Sequence, residues 1–221
     1  LDDISSSELV IEAITENYEA KAVVFKKLES YCSDDCIFAS NTSSISITKI
    51  SENLSKKHRV IGMHFMNPVP IMKLVEVING KHTSSEVTEQ IIDYTKSINK
   101  IPLTANDCPG FISNRILLPM INEAIEALDS GVSDVKSIDG IMRLGMGHPM
   151  GPLQLADLIG LDVCKSILEI MHNGLNNEKY RPNKLLIDLV GKGNLGVKSG
   201  EGFYNYSNSK KAEVVSKRFS E

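Results

Sequence analysis

A change of period near residue 108 constrains this chain more than any other feature. Before it, short apolar runs alternate with segments of helical period. After it, every long segment is helical. "SELVIEAITEN" (7–17) and "CIFASNTSS" (36–44) read as buried strands, "RVIGMHF" (59–65) as a strand with a gap at Gly62, and "KLVEVING" (73–80) and "KIPLTAND" (100–107) as two more strands. "NYEAKAVVFKKLESYC" (17–32) carries Ala20, Val23, Val24, Phe25 and Leu28 at helical spacing. "ISITKISENL" (45–54) reads as a short helix, and a further helix is expected over about 84–98. Alternation of this kind predicts α/β architecture with a mainly parallel sheet.

Beyond "NDCPGF", one apolar stripe runs through Ile112, Ile116, Leu117, Met120, Ile121, Ala124, Ile125 and Leu128 and stops at Gly131. "SDVKSIDGIMRLG" is a second helix with Ser133 or Asp134 as its cap. "GPLQLADLIGLDVCKSILEIMHNGL" is a third, with Gly160 as its breakpoint, and "PNKLLIDLVGKG" a fourth. The expected organisation is a sheet domain over 1–107, an all-helical domain over 108–206 and a frayed tail over 207–221.

The 221 residues, 42% of them hydrophobic, suffice for an ample core. A net charge of −4 and a pI near 5.8 argue against nucleic acid as a partner. No apolar run approaches the ~20 residues that span a bilayer. "LDDISSSELV" is acidic and polar, unlike a secretory leader. Cys32 and Cys36 resemble half a metal motif without a second pair, so no metal is expected and the four cysteines read as free thiols in a reducing compartment. The chain opens at Leu1 close to an element already under way, which predicts that a segment precedes it.

Two glycine patterns mislead. "GKGNLG" (191–196) matches G-x-G-x-x-G by letter, but a helical run precedes it and no strand–loop–helix unit can follow. "GMGHPMG" (145–151) has its third glycine one place late. Both read as helix ends and turns.

Polar groups gather at strand ends, where open α/β sheets bind ligands. These are Glu16, the cluster Ser40–Ser44, His64 with Asn67, and "PGFISNR". Glu76 interrupts "KLVEVI", where an unpaired buried carboxylate is costly. The turn through Pro68 and Pro70 can bring it to His64, fixing the imidazole tautomer as a general base requires. The competing reading is an edge strand with Glu76 in water and His64 simply packed. Asn41, Thr42, Ser43 and Ser44 either cap the next helix or, through their hydroxyls, bind a substrate oxygen. Asn114, one turn into a helix it does not favour, is either exposed or recruited to a cleft.

"ELVIEAITEN", "IFASNTSSI", "GMHFMNPVPIMKLVEVI", "DCPGFISNRIL", "GHPMGPLQLADLIGLD" and "GVKSGEGFYNY" together resemble the L-3-hydroxyacyl-CoA dehydrogenase family, and the bacterial 3-hydroxybutyryl-CoA enzymes above all. The resemblance runs in order from about residue 7 to 206. It implies a partial doubly wound, Rossmann-type sheet followed by a helical domain. It implies reversible oxidation of an L-3-hydroxyacyl-CoA to the 3-ketoacyl-CoA with NAD, in fatty acid or butanoate metabolism. By that resemblance His64 is the general base, Glu76 orients it, and Ser43 and Asn114 hold the reacting oxygens. The NAD contacts carry over to Glu16, Lys21, Ser43, Asn67 and Lys198. The helical domain would form a homodimer, and the protein would work in the cytoplasm or an organelle matrix.

The family's glycine-rich loop, its ribose-binding acid and its basic acyl-CoA segment all fall before Leu1. The 221 residues alone are therefore expected to bind NAD weakly or not at all. The choice between NAD and NADP stays open, because the deciding acid lies in that same segment. Two other readings also stay open: a sugar-acid dehydrogenase of the lens-crystallin-like branch, and a dimerising remnant without cofactor.

Overall fold

The computed structural model describes residues 4–220. The chain divides into two compact units, Leu1–Ile112 and Ser113–Glu221. In the first, five strands lie side by side in chain order: β1 (Leu9–Glu12), β2 (Ile37–Ser40), β3 (Val60–Phe65), β4 (Leu74–Asn79) and β5 (Ile101–Asn106). Three of the four pairings are parallel, and β3–β4 is antiparallel. Helices α1 (Tyr18–Tyr31), α2 (Ile47–Ser51) and α3 (Ser85–Ser97) cover the faces. Each helix starts where a side chain accepts an early backbone N–H: Asn17 from Ala20, Ser46 from Lys49, Ser84 from Val87.

The period of two sorts the strand residues onto two faces. Phe38, Val60 and Ile78 pack against Phe25 and Leu28 of α1 and Ile47 and Ile50 of α2. Ile37, Ala39, Ile61, Met63, Val75 and Val77 pack with Val87 and Ile91 of α3. Burying each of these side chains larger than Ala39 contributes about 1.5–3 kcal/mol. Gly62 breaks the apolar run of β3 because its neighbour is too close: a Cβ there would stand 2.7 Å from that of Ile78. Strand β5 ends the described sheet with Ile101 and Leu103 exposed.

The second unit holds α4 (Ser113–Asp129), α5 (Val135–Met146), α6 (Pro152–Ile159), α7 (Leu161–Leu175) and α8 (Lys184–Gly191). Leu118, Ile121 and Ile125 of the α4 stripe meet Leu153, Leu168, Leu186 and Phe203 in one core. Asp134 caps α5 by accepting the Ser137 N–H at 2.9 Å. Gly160, at φ 105°, separates α6 from α7. The two glycine patterns are indeed turns. Gly147 ends α5 in the left-handed region and Gly151 caps α6, while Gly193 and Gly196 carry the chain away from α8.

Two buried acids organise this unit. Asp139 of α5 accepts the N–H groups of Leu153 and Gln154 and the Tyr204 hydroxyl. Asp157 of α6 accepts the N–H groups of Phe203 and Tyr204 and the Tyr206 hydroxyl. Segment 196–206 lies so close to Asp157 that a Cβ on Gly202 would fall 1.9 Å from its Oδ1. The end of the chain departs from the expected frayed tail. Val214–Val215 (β7) pairs antiparallel with Tyr204–Asn205 (β6), Ser216 donates to Glu201 at 2.7 Å, and Arg218 pairs with Asp188. Two-residue strands are too short to leave a periodic signal in sequence.

Burial pushes the Asp157 carboxyl up to about 7; its three donors pull the other way, and the Asp139 charge adds to the rise. The folded state thus binds a proton that the unfolded chain, titrating near 3.9, has already lost. The contribution of Asp157 to stability is whole below that unfolded value and is lost as pH rises through about 7. The stability of the wild type minus that of Asp157→Asn is expected to fall by up to about 1.4 kcal/mol per pH unit across this window. Urea unfolding of both proteins measures it, and parallel pH profiles would remove the assignment.

Candidate active site

Strands β3 and β4 pair so that His64 and Glu76 are direct Cα partners. Cross-strand partners on one face bring their side chains into contact, and His64 Nδ1 lies 2.8 Å from Glu76 Oε2. Both residues are buried. An ionised carboxylate can only accept, so Nδ1 carries the bridging proton, and in the neutral ring Nε2 is the nitrogen left with a lone pair. Glu76 Oε1 accepts the Ile112 N–H at 3.3 Å. The corner that delivers this N–H turns at Gly110 (φ 80°) and Phe111 (φ 48°). A phenylalanine in the left-handed region is strained backbone, which persists only where its surroundings impose it. Here the ring is buried and tilted against the His64 imidazole, centroids 6.0 Å apart. The segment linking β3 to β4 contains the cis Asn67–Pro68 peptide bond, with Asn67 exposed at its start.

A second cluster stands at the carboxyl ends of β1 and β2. Glu16 Oε1 accepts the Thr42 hydroxyl at 2.7 Å, the Ser43 and Ser44 N–H groups at 3.0 Å, and the Ser43 and Ser44 hydroxyls at 3.2 and 2.9 Å. Burial pushes the Glu16 carboxyl up. The hydrogen bonds from Thr42, Ser44 and Ser43, with the Lys21 charge, outweigh it and hold the group below its usual range. Lys21 is enclosed, its side chain 1% exposed. Its ammonium lies 2.7 Å from Glu12 Oε1, 3.3 Å from the Ile14 carbonyl and 3.6 Å from Glu16 Oε2.

Asn114 and Lys198 belong to the second unit. Asn114 sits in the first turn of α4. Lys198 pairs with Asp162 at the start of α7; burial pushes the Asp162 carboxyl up, but Lys198 more than offsets this and holds it low. Sequence reasoning missed two residues of the first unit. Phe111 left no signal, since its role depends on backbone conformation. Glu12 did leave one: it interrupts an apolar strand as Glu76 does, and the same question about its partner leads to Lys21.

The residues present fit part of a dinucleotide. A carboxylate surrounded by hydroxyls at the carboxyl ends of adjacent parallel strands suits the hydroxyl-bearing part of a nucleotide. The glycine cradle that holds a pyrophosphate against a helix N-terminus has no counterpart here, because the first glycine is Gly62.

Comparison with known proteins identifies the family. Residues 1–108 match the 3-hydroxyacyl-CoA dehydrogenase NAD-binding domain, and residues 110–206 match the C-terminal domain of the same enzymes. A probable 3-hydroxybutyryl-CoA dehydrogenase of Deinococcus radiodurans is 53% identical over 206 residues, covering 93% of this chain and 74% of that protein. The 3-hydroxybutyryl-CoA dehydrogenase of Clostridioides difficile is 47% identical over 206 residues, 93% of this chain and 73% of its own. The crystal structure of (S)-3-hydroxybutyryl-CoA dehydrogenase from Ralstonia eutropha superposes with a TM-score of 0.92 at 46% identity, over 94% of this chain and 73% of that one. On these grounds the chain belongs to the 3-hydroxyacyl-CoA dehydrogenase family.

Proposed function

We propose that this protein catalyses the reversible, NAD-dependent oxidation of L-3-hydroxyacyl-CoA to 3-ketoacyl-CoA, with 3-hydroxybutyryl-CoA as its substrate. The observation that carries the proposal is the buried His64–Glu76 pair, 2.8 Å apart. The names of its relatives, 3-hydroxybutyryl-CoA dehydrogenases, support the substrate.

His64 Nε2 takes the proton of the 3-hydroxyl during oxidation and returns it during reduction. Glu76 holds the ring in the tautomer that leaves Nε2 basic, and its charge stabilises the imidazolium once the proton arrives. Phe111 closes one side of the imidazole. Ser43 and Asn114 hold the substrate oxygens. The bound nicotinamide supplies the hydride acceptor. Glu16, Ser43, Asn67 and Lys198 hold the cofactor, with Lys21 placed behind Glu16.

The helical unit is proposed as a homodimer surface. Leu144 and Ile141 of α5 are 85% and 60% exposed, and Ile116 of α4 is 68% exposed. Ile141 also lines an apolar groove of about 340 Å³ with Met120, Ala127, Ile138 and Met142.

The full-length protein is expected to oxidise NADH with acetoacetyl-CoA and to be inert toward sugar acids; the opposite preference would move it to the crystallin-like branch. Glu76→Gln should lower kcat by about 10²–10⁴-fold with an unchanged circular dichroism spectrum. An unchanged kcat would take the orienting role from Glu76. Light scattering should report twice the chain mass, and Leu144→Glu should shift it toward one.

A further inference from the structure

The interior of the first unit holds a charge pair that the proton-transfer step does not use. Glu12 is the last residue of β1 and 4% exposed. Its Oε1 accepts the Lys21 ammonium at 2.7 Å and the Ile14 N–H at 2.6 Å, and its Oε2 accepts the Ser40 hydroxyl at 2.7 Å. Ser40 is the last residue of β2 and the direct Cα partner of Glu12 across the parallel pair. Each partner leads onward. Lys21 reaches Glu16 Oε2, while the Ser40 hydroxyl accepts the Thr42 N–H at 3.3 Å. The two routes converge on the Glu16–Ser43 cluster, one along the loop after β1 and the other along the loop after β2.

We propose that Glu12 is a positioning residue. Its enclosed carboxylate, bound at once to Lys21 and Ser40, locks the loops after β1 and β2 together and so sets where Glu16 and Ser43 meet the cofactor. It touches no ligand itself. The chemistry favours this over a simple core role. A buried ion pair contributes little net stability against an apolar pair of similar volume, yet it demands a single geometry. Lys21 presents three donors; Glu12 and the Ile14 carbonyl accept from it, and Glu16 Oε2 stands 3.6 Å away as a second ion-pair partner. Removing the Glu12 charge frees the ammonium to swing toward Glu16, whose carboxylate already collects five donors.

The functional consequence rests on the reading of Glu16 and Ser43 as cofactor contacts; the positioning itself does not. The test uses the full-length protein with Glu12→Gln and with Ser40→Ala, which breaks the second link and keeps every cofactor contact in place. A purely structural role predicts lower melting in both variants with wild-type NADH binding. Positioning predicts that the Kd for NADH, read by fluorescence, rises about 10- to 100-fold in both. The pH profile of kcat, which reports His64, should not move. Hydrogen exchange supplies a readout independent of activity. The Thr42–Ser44 amides should exchange at least about tenfold faster in Glu12→Gln while those of β3 and β4 do not change. Unchanged exchange at Thr42–Ser44, or wild-type NADH binding in Glu12→Gln, overturns the proposal. A full-length wild type that neither binds NADH nor reduces acetoacetyl-CoA defeats the functional reading instead, and the exchange measurement still decides the role of Glu12.

Discussion

A carboxylate inside a β-strand has to find donors, and that requirement arranges most of the polar chemistry in the first unit. Leaving such a charge unpaired costs more than the strand gains by burying it. Glu12 and Glu76 each occupy a buried strand position, and each finds its donor in the residue directly across the ladder: Ser40 for Glu12, His64 for Glu76. Sheet register, not loop flexibility, therefore sets both distances. A one-residue slip would turn each side chain to the opposite face and expel the charge from its pair. The same hydrophobic alternation that builds the two cores thus enforces the geometry of the histidine and of the hydroxyl cluster.

The second unit applies the requirement to a different end. Asp139 and Asp157 sit on helices, and their donors are backbone N–H groups and tyrosine hydroxyls that would otherwise be stranded in the core. Asp139 caps the start of α6, while Asp157 holds segment 196–206 against the bundle. Gly196 and Gly202 are glycines because that segment runs against Asp157 with no room for a side chain. "GVKSGEGFYNY" carries the family resemblance as strongly as the histidine segment does, yet most of its residues serve packing. Lys198, ion-paired to Asp162, faces outward from it.

Much was legible in the chain because local rules agreed with the fold. Apolar runs of four to six residues became strands, the helical stripe through Leu128 became α4, and Asp134 and Gly160 did what a cap and a breaker do. Glu76 was legible as a misplaced charge in search of a partner. Glu12 carried the same signature, hidden by a run that also reads as plain strand. Phe111 was not legible, since nothing in "PGF" says that the phenylalanine rather than the glycine alone adopts a positive φ. The terminal ribbon was not legible either, since its strands are shorter than any period.

The sequence by itself determined the succession of elements, the change from sheet to helix near residue 108, the family, and the identity of the residues proposed to move a proton. Those follow from periodicity, composition and motif, which are properties of neighbours along the chain. Only the tertiary structure decided that β3 and β4 run antiparallel in the register that opposes His64 to Glu76. It also decided that Lys21 is enclosed and answers to Glu12. Both outcomes depend on which distant residues share a face and exclude water together, and local sequence does not encode that directly.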